Sequence, residues 1–267
     1  MKNAIVANLQ CNRKCAFKDL EIYIRAQVEN SLNMGWKSED ILLITNFQYH
    51  YMGVKAIVMD MNEFCLTGSK MFAMDKLFKQ GLVTEPVWMH DLDLWQNAPF
   101  TCPDFKDIGI CTYSRPKYNG GSLFYKPEAA DIVEAVVKAL INDKAPREEP
   151  TINDLFKSDT YKDRVTVLNN TYNVGCSGYR ERYERSEKPL KGLHFHPTNR
   201  IAWDTHARNR NGISEEATIS QELRDLCKKF FNNTIKEFKY EDFEDQGPYG
   251  IRPKGIDREK AERLGIK

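Results

Sequence analysis

Short apolar runs alternate along the first third of the chain with stretches whose apolar positions recur every three or four residues. Ala4–Leu9 (AIVANL) is such a run and predicts a strand buried on both faces. Leu20, Ile24, Val28 and Leu32 follow at four-residue intervals, one face of a helix, and Gly35 stands where that helix should stop. Asp40–Thr45 (DILLIT) reads as a second buried strand and Ile57–Met59 as a third, shorter one. Another helix opens at Gly68-Ser69-Lys70, carries Met71, Met74, Leu77 and Phe78 on one face, and ends at Gly81. Pro86–Met89 (PVWM) returns to strand and runs directly into His90-Asp91-Leu92-Asp93. Strand and helix in alternation predict a mostly parallel sheet with helices packed on its faces.

The pattern is less regular afterwards. Ile108–Tyr113 and Ser122–Tyr125 read as strands with Gly120-Gly121 between them. Pro127 starts a helix with Ala129, Val133, Val136, Val137 and Leu140 on its inner face. Val165–Leu168 is a further strand. Residues 179–210 are polar and basic, and 218–238 resume a helix along Ile219, Leu223, Leu226, Phe230 and Ile235. The expected organisation is one α/β domain over 1–243 and a basic, Gly/Pro-containing tail over 244–267.

Composition narrows the function. A chain of 267 residues buries roughly 70–75% of its unfolded surface and folds without a staple. Its 39 basic and 38 acidic residues leave a charge of +1, which excludes a globally basic nucleic-acid coat. The seven cysteines are scattered and odd in number, as free thiols in a reducing, cytoplasmic setting would be. Cys11 and Cys15 form a CxxxC pair, but no second pair completes a four-ligand zinc site. No stretch is apolar enough to span a membrane, and the N-terminus lacks the apolar run of a signal peptide.

Two segments hold candidate chemistry. Asp91 and Asp93 close a buried strand, and parallel sheets bind ligands beyond the carboxyl ends of their strands. Carboxylates at i and i+2 on a bending backbone can converge on one divalent cation. A DxD triplet arises about once by chance in a chain of this size, so the preceding apolar strand gives it its weight. The second segment runs from Gly192 to Trp203 and holds His194 and His196, two of the five histidines. Carboxylates with an imidazole suit Mn²⁺ better than Mg²⁺.

Four separated motifs in order, Asp91-Leu92-Asp93, Asn119-Gly120-Gly121, Glu148-Glu149-Pro150-Thr151-Ile152-Asn153 and His194 through Trp203, resemble those of the GT-A-fold glycosyltransferases. Over about residues 3–205 the chain is most similar to family 8, the group of glycogenin and the lipooligosaccharide galactosyltransferases. The resemblance implies a single GT-A-like (Rossmann-like) domain, a mixed sheet sandwiched between helices. It also implies metal-dependent sugar transfer, with retention, from a nucleoside-diphosphate sugar, UDP foremost, to a hydroxyl acceptor. By the same resemblance Asp91, Asp93 and His194 would bind Mn²⁺ or Mg²⁺, and Asp91 would also meet the ribose. Ala7 and Asn8 would meet the nucleobase and ribose, Lys70 would approach the donor sugar or its phosphates, and Asn119 and Gly121 would line the sugar pocket. Arg200 would hold the diphosphate. Glu148 would bond the sugar hydroxyls, and Glu149, where the family has Gln, would lie beneath the anomeric carbon. The last motif departs from the family at Pro197 and is one residue longer before Trp203, so His196 stands as the alternative ligand.

Local charge suggests an acceptor. Residues 180–210 hold eight basic against four acidic residues, and Tyr179 and Tyr183 lie among them. Such a patch suits a phosphate backbone, and a bacteriophage enzyme that glycosylates hydroxymethylated DNA bases in the host cytoplasm is one reading. The alternating signs of RERYERSEK equally describe a solvated helix face. A saccharide acceptor, and a non-catalytic nucleotide-sugar or nucleic-acid binder on the same scaffold, are the competing readings. Nothing in the pattern sets an oligomeric state.

Overall fold

The computed structural model describes residues 1–9, 17–61, 68–114, 117–142, 148–175 and 179–194, with two short strands at Phe243–Asp245 and Ile251–Pro253. Cys11, Cys15, His196, Arg200, Trp203, the helix expected over 218–238 and the rest of the tail lie outside the described residues.

A seven-stranded mixed sheet forms the centre. In chain order its strands are β1 (Lys2–Ala7), β2 (Ile41–Thr45), β5 (Ile57–Val58), β6 (Val87–His90), β8 (Ile108–Ser114), β9 (Lys117–Tyr125) and β10 (Val165–Val167). A hairpin of β3 (His50–Tyr51) and β4 (Val54–Lys55) stands beside it. The spatial order is β10-β8-β9-β6-β1-β2-β5. β1 pairs in parallel with β2 and β6, whereas β9 runs antiparallel to both β6 and β8. A second, three-stranded sheet joins β7 (Leu94–Gln96), β11 (Val174–Gly175) and β12 (Gly192–His194) in the order β11-β12-β7.

Period-two alternation explains the layers. On β1, Ala4 and Val6 face one core, with Met71, Met74 and Leu77 of α2 (Ser69–Lys79), Val133 and Val136 of α3 (Ala130–Asn142), and Ile152 and Phe156 of α4 (Glu148–Phe156). Ile5 and Ala7 face the other core, with Leu20, Ile24 and Val28 of α1 (Phe17–Asn33). The expected α/β sandwich is therefore present as a single domain. Gly35 and Gly81 follow α1 and α2 with φ of 93° and 68°, the left-handed conformation that ends helices. No helix among the described residues is long and apolar enough to cross a membrane.

Two expectations change. Gly120 and Gly121 do not separate two strands; they lie inside the nine-residue β9, which begins at Lys117. Their lack of side chains serves close approach by other groups rather than a turn. The alternating-charge segment does form a helix, α5 (Tyr179–Arg185), but that helix is not wholly solvated. Arg182 is 1% exposed, its guanidinium bonded to the carbonyl of Asn173 and 5.3 Å from the Tyr113 ring.

Candidate metal centre

The DxD turn is built where β6 ends. The Asp91 N–H donates to Gly121 O on β9 (3.0 Å), and the Leu94 N–H closes the turn on Asp91 O (3.0 Å). Gln27 of α1 reaches under the turn, its Nε2 donating to Leu92 O and Leu94 O, both at 2.7 Å. His90 adjoins the acids in sequence but serves the scaffold. Its Nδ1 lies 2.9 Å from Asp91 O, its Nε2 3.0 Å from Asn3 Oδ1, and its ring packs 4.2 Å from Trp88. Burial lowers its pKa to about 4 and keeps it neutral.

The third residue of this cluster comes from a strand about a hundred residues later. β12 pairs antiparallel with β7, setting His194 opposite Leu94 and bringing its imidazole to the turn. His194 Nε2 lies 3.3 Å from Asp91 Oδ2 and 3.3 Å from Asp93 Oδ1. Ligand atoms of the three residues all fall within 4.8 Å of one another. Two carboxylates and an imidazole so disposed fit a divalent cation of the Mn²⁺ type. Gly121 makes room, because a Cβ there would collide with the His194 ring. Burial opposes charge on His194, but Asp93 and Asp91 outweigh it and raise the pKa to about 9. A proton thus stands among the carboxylates of the metal-free protein. Burial would raise Asp91, yet Lys70 and His194 hold it well below the ordinary carboxylate range.

Lys70, at the start of α2, joins this centre to α4. Its Nζ lies 2.5 Å from Asp91 Oδ1, 3.3 Å from Glu148 Oε1 and 2.6 Å from Gly120 O. Burial disfavours the ammonium, but Asp91 and Glu148 hold it charged. Burial lifts Glu148 to about 7, against the pull of Lys70. Gly120 admits Glu148 as Gly121 admits His194, since a Cβ on it would stand 2.8 Å from Glu148 Oε1. Glu149, next on α4, accepts from the Tyr113 hydroxyl at 2.7 Å and has Lys117 Nζ 3.8 Å away. Ala7 ends β1, the neighbour of β6, and Asn8 follows it at the same end of the sheet. Asn8 Nδ2 donates to Ser69 Oγ at 2.8 Å, while its Oδ1 is buried without a partner.

Among the described residues, the structure thus gathers Asp91, Asp93, His194, Lys70, Asn119, Gly121 and Glu148 in one bonded cluster. Glu149 lies in the first turn of α4, and Ala7 and Asn8 lie at the adjoining strand end. Sequence reasoning missed Gln27, Tyr113 and Asn173. Gln27 had a usable signal: Gln27, Asn30 and Ser31 form a polar stripe beside the apolar face of α1, and all three are buried. Tyr113 and Asn173 carried none.

No protein-family model matches the chain, and no curated protein matches it. Solved structures do. The galactosyltransferase LgtC in complex with donor and acceptor sugar analogues is similar over 85% of this chain and 96% of its own, at 14% identity and a TM-score of 0.53. The bifunctional glycosyltransferase WbbM is similar over 88% of this chain and 49% of its own, at 11% identity and 0.55. The glycosyltransferase GlyE of Streptococcus pneumoniae TIGR4 covers 86% of this chain and 60% of its own, at 15% identity and 0.50. The fold is that of the GT-A glycosyltransferases. On this fold the DxD turn lies at the carboxyl end of β6, at the sheet edge where open α/β sheets receive their ligands.

Proposed function

We propose that the chain is a metal-dependent, retaining glycosyltransferase that moves a sugar from a nucleoside-diphosphate sugar, UDP foremost, to a hydroxyl acceptor. The observation that carries this is the convergence of Asp91, Asp93 and His194 from two sheets, with Lys70 and Glu148 bonded to the same cluster. Asp91, Asp93 and His194 would hold the cation, Mn²⁺ by the softness of the imidazole. A cation bound there supplies positive charge against the diphosphate as it leaves. Lys70 adds a fixed ammonium beside it, Glu148 bonds the hydroxyls of the sugar, and Glu149 lies beneath the anomeric carbon with its carboxylate held by Tyr113. Asn8, with an unpaired buried oxygen, meets the nucleobase and ribose. The bond from the anomeric carbon to the diphosphate breaks, and the bond to the acceptor oxygen forms on the same face. The acceptor proton passes to the departing phosphate, so no separate strong base is needed.

Two measurements test the proposal. Thermal unfolding with a panel of nucleotide sugars should show one donor stabilising the protein in Mn²⁺ and not in chelator. Product analysis should then find a nucleoside diphosphate; pyrophosphate or a nucleoside monophosphate instead would mean nucleotidyl transfer or hydrolysis. The local basic charge makes DNA with hydroxymethylated bases the first acceptor to try, and a saccharide the second. Asp93→Ala should abolish turnover under this proposal; DNA retention spared by that substitution, in a protein whose wild type shows no transferase activity, would favour the binding-protein reading.

A further inference from the structure

His194 is held from two sides. Its Nε2 faces the carboxylates, and its Nδ1 lies 3.1 Å from Asn173 Oδ1. In a neutral imidazole one nitrogen carries the proton and the other a lone pair, and the surrounding hydrogen bonds decide which. Here the chain of bonds ends on a group whose polarity cannot reverse. The backbone N–H of Gly121 can only donate, and it meets the Asn119 side chain at 2.7 Å, so the atom receiving it is Oδ1. That same oxygen lies 2.9 Å from the Asn173 side chain, so the Asn173 atom facing it is the donating Nδ2. Asn173 Oδ1 is thereby turned to His194, and an amide oxygen only accepts. Nδ1 must carry a proton, so a cation taken up by His194 is bound at Nε2, the nitrogen on the carboxylate side.

The relay is sealed from solvent: Asn119 and Asn173 are 0% exposed and His194 2%. It is also maintained at a cost. Asn119 Nδ2 is buried with no partner, and flipping that amide would set its NH₂ against the Gly121 N–H. Placement follows from the small sheet. Asn173 immediately precedes β11, and β11 pairs in parallel with β12 so that Gly175 stands beside His194.

We infer that Asn173 is a positioning residue of the metal centre, passing the fixed polarity of the Gly121 N–H through Asn119 to make His194 an Nε2 ligand. This rests on the reading of Asp91, Asp93 and His194 as a metal site. Outer-shell partners of a ligating histidine typically matter about 10–100-fold in metal affinity. With Mn²⁺ alone as the probe, and free Mn²⁺ read by electron paramagnetic resonance, Asn173→Leu should bind about 10–100-fold more weakly than wild type. Asn173→Asp, whose carboxylate still accepts the Nδ1–H, should stay within about threefold of wild type, below that range. Thermal unfolding confirms that each variant is folded.

A second readout is spectroscopic. Nitrogen-15 NMR of labelled histidine with diamagnetic Zn²⁺ as the probe should show Nε2 ligated and Nδ1 protonated in wild type, with the Nδ1–H hydrogen bond lost in Asn173→Leu. A folded Asn173→Leu that binds Mn²⁺ as wild type does overturns the inference, and so does ligation through Nδ1 in wild type. If His194→Ala binds Mn²⁺ as tightly as wild type, the reading of His194 as a ligand fails instead.

Discussion

His194 is the residue whose chemistry the rest of the site governs. Its pKa is raised from the ordinary 6.5 to about 9, so its ion pair with Asp91 and Asp93 stabilises the metal-free protein fully below pH 6.5. That stability is lost as pH rises through about 9, the direction expected of a raised histidine. Calorimetry in chelator should therefore show the unfolding midpoint falling between these limits, and a His194→Gln variant should flatten the slope. A cation must displace that proton, so Mn²⁺ affinity should move the opposite way, rising about tenfold per pH unit as one proton is released. The two glycines of β9 make a sharper residue-scale prediction. Gly121→Ala drives a methyl into the His194 ring and should lower Mn²⁺ affinity by more than the about 10–100-fold that follows loss of an outer-shell partner, because the ligand itself is displaced. Gly120→Ala pushes instead on Glu148 and should raise KM for the donor while leaving Mn²⁺ binding close to wild type.

At the scale of elements, α1 does more than cover the sheet. Its apolar stripe fills one core, and its polar stripe grips the DxD turn and the strand after it. Gln27 holds Leu92 O and Leu94 O, while Asn30 exchanges two bonds with Gln96 at 3.0 Å each. Gln27→Met keeps the volume but takes a donor from the buried Leu94 O and the part-buried Leu92 O, a loss of about 1–3 kcal/mol for a buried group left unpaired. Urea unfolding should show that loss, and kcat should fall as the turn loosens; an unchanged kcat would make Gln27 purely structural. These contacts mark the limit of what the sequence discloses. The apolar runs of β1 and β6 and the four-residue spacing of α1 announce themselves, because burial on a sheet or helix face has a period. Asp91 and Asp93 stand out because they end such a run. Asn173 does not, because one asparagine among the three at 169, 170 and 173 has no period to mark it and acts through contacts made only after β12 docks on β7. Gly120-Gly121 carry the ordinary signature of a turn, whereas their place inside β9 is dictated by Glu148 and His194, distant in sequence.

Across the whole molecule, the metal-free site is electrically closed. Lys70 and His194 sit against Asp91, Asp93 and Glu148, and each cation is already bonded to a carboxylate of this chain. A diphosphate arriving there meets carboxylates already paired with both cations, and no uncommitted positive charge among these five residues. Binding a divalent cation adds two charges and expels the His194 proton, for a net gain of one positive charge at the sheet edge. Metal and nucleotide should therefore bind as a coupled pair. At a hundred times its Kd, a nucleoside diphosphate in Mn²⁺ should stabilise the fold by about 2.7 kcal/mol. In chelator the same concentration should give no measurable shift. Asp93→Ala should abolish the Mn²⁺-dependent shift while leaving the metal-free protein folded, since Asp93 lies at the turn and outside the apolar clusters of the core. Lys70→Met gives the complementary result: Mn²⁺ still binds through the three ligands, but the nucleotide shift shrinks because the fixed ammonium is gone. Equal nucleotide shifts with and without Mn²⁺ would show that diphosphate binding does not run through Asp91, Asp93 and His194.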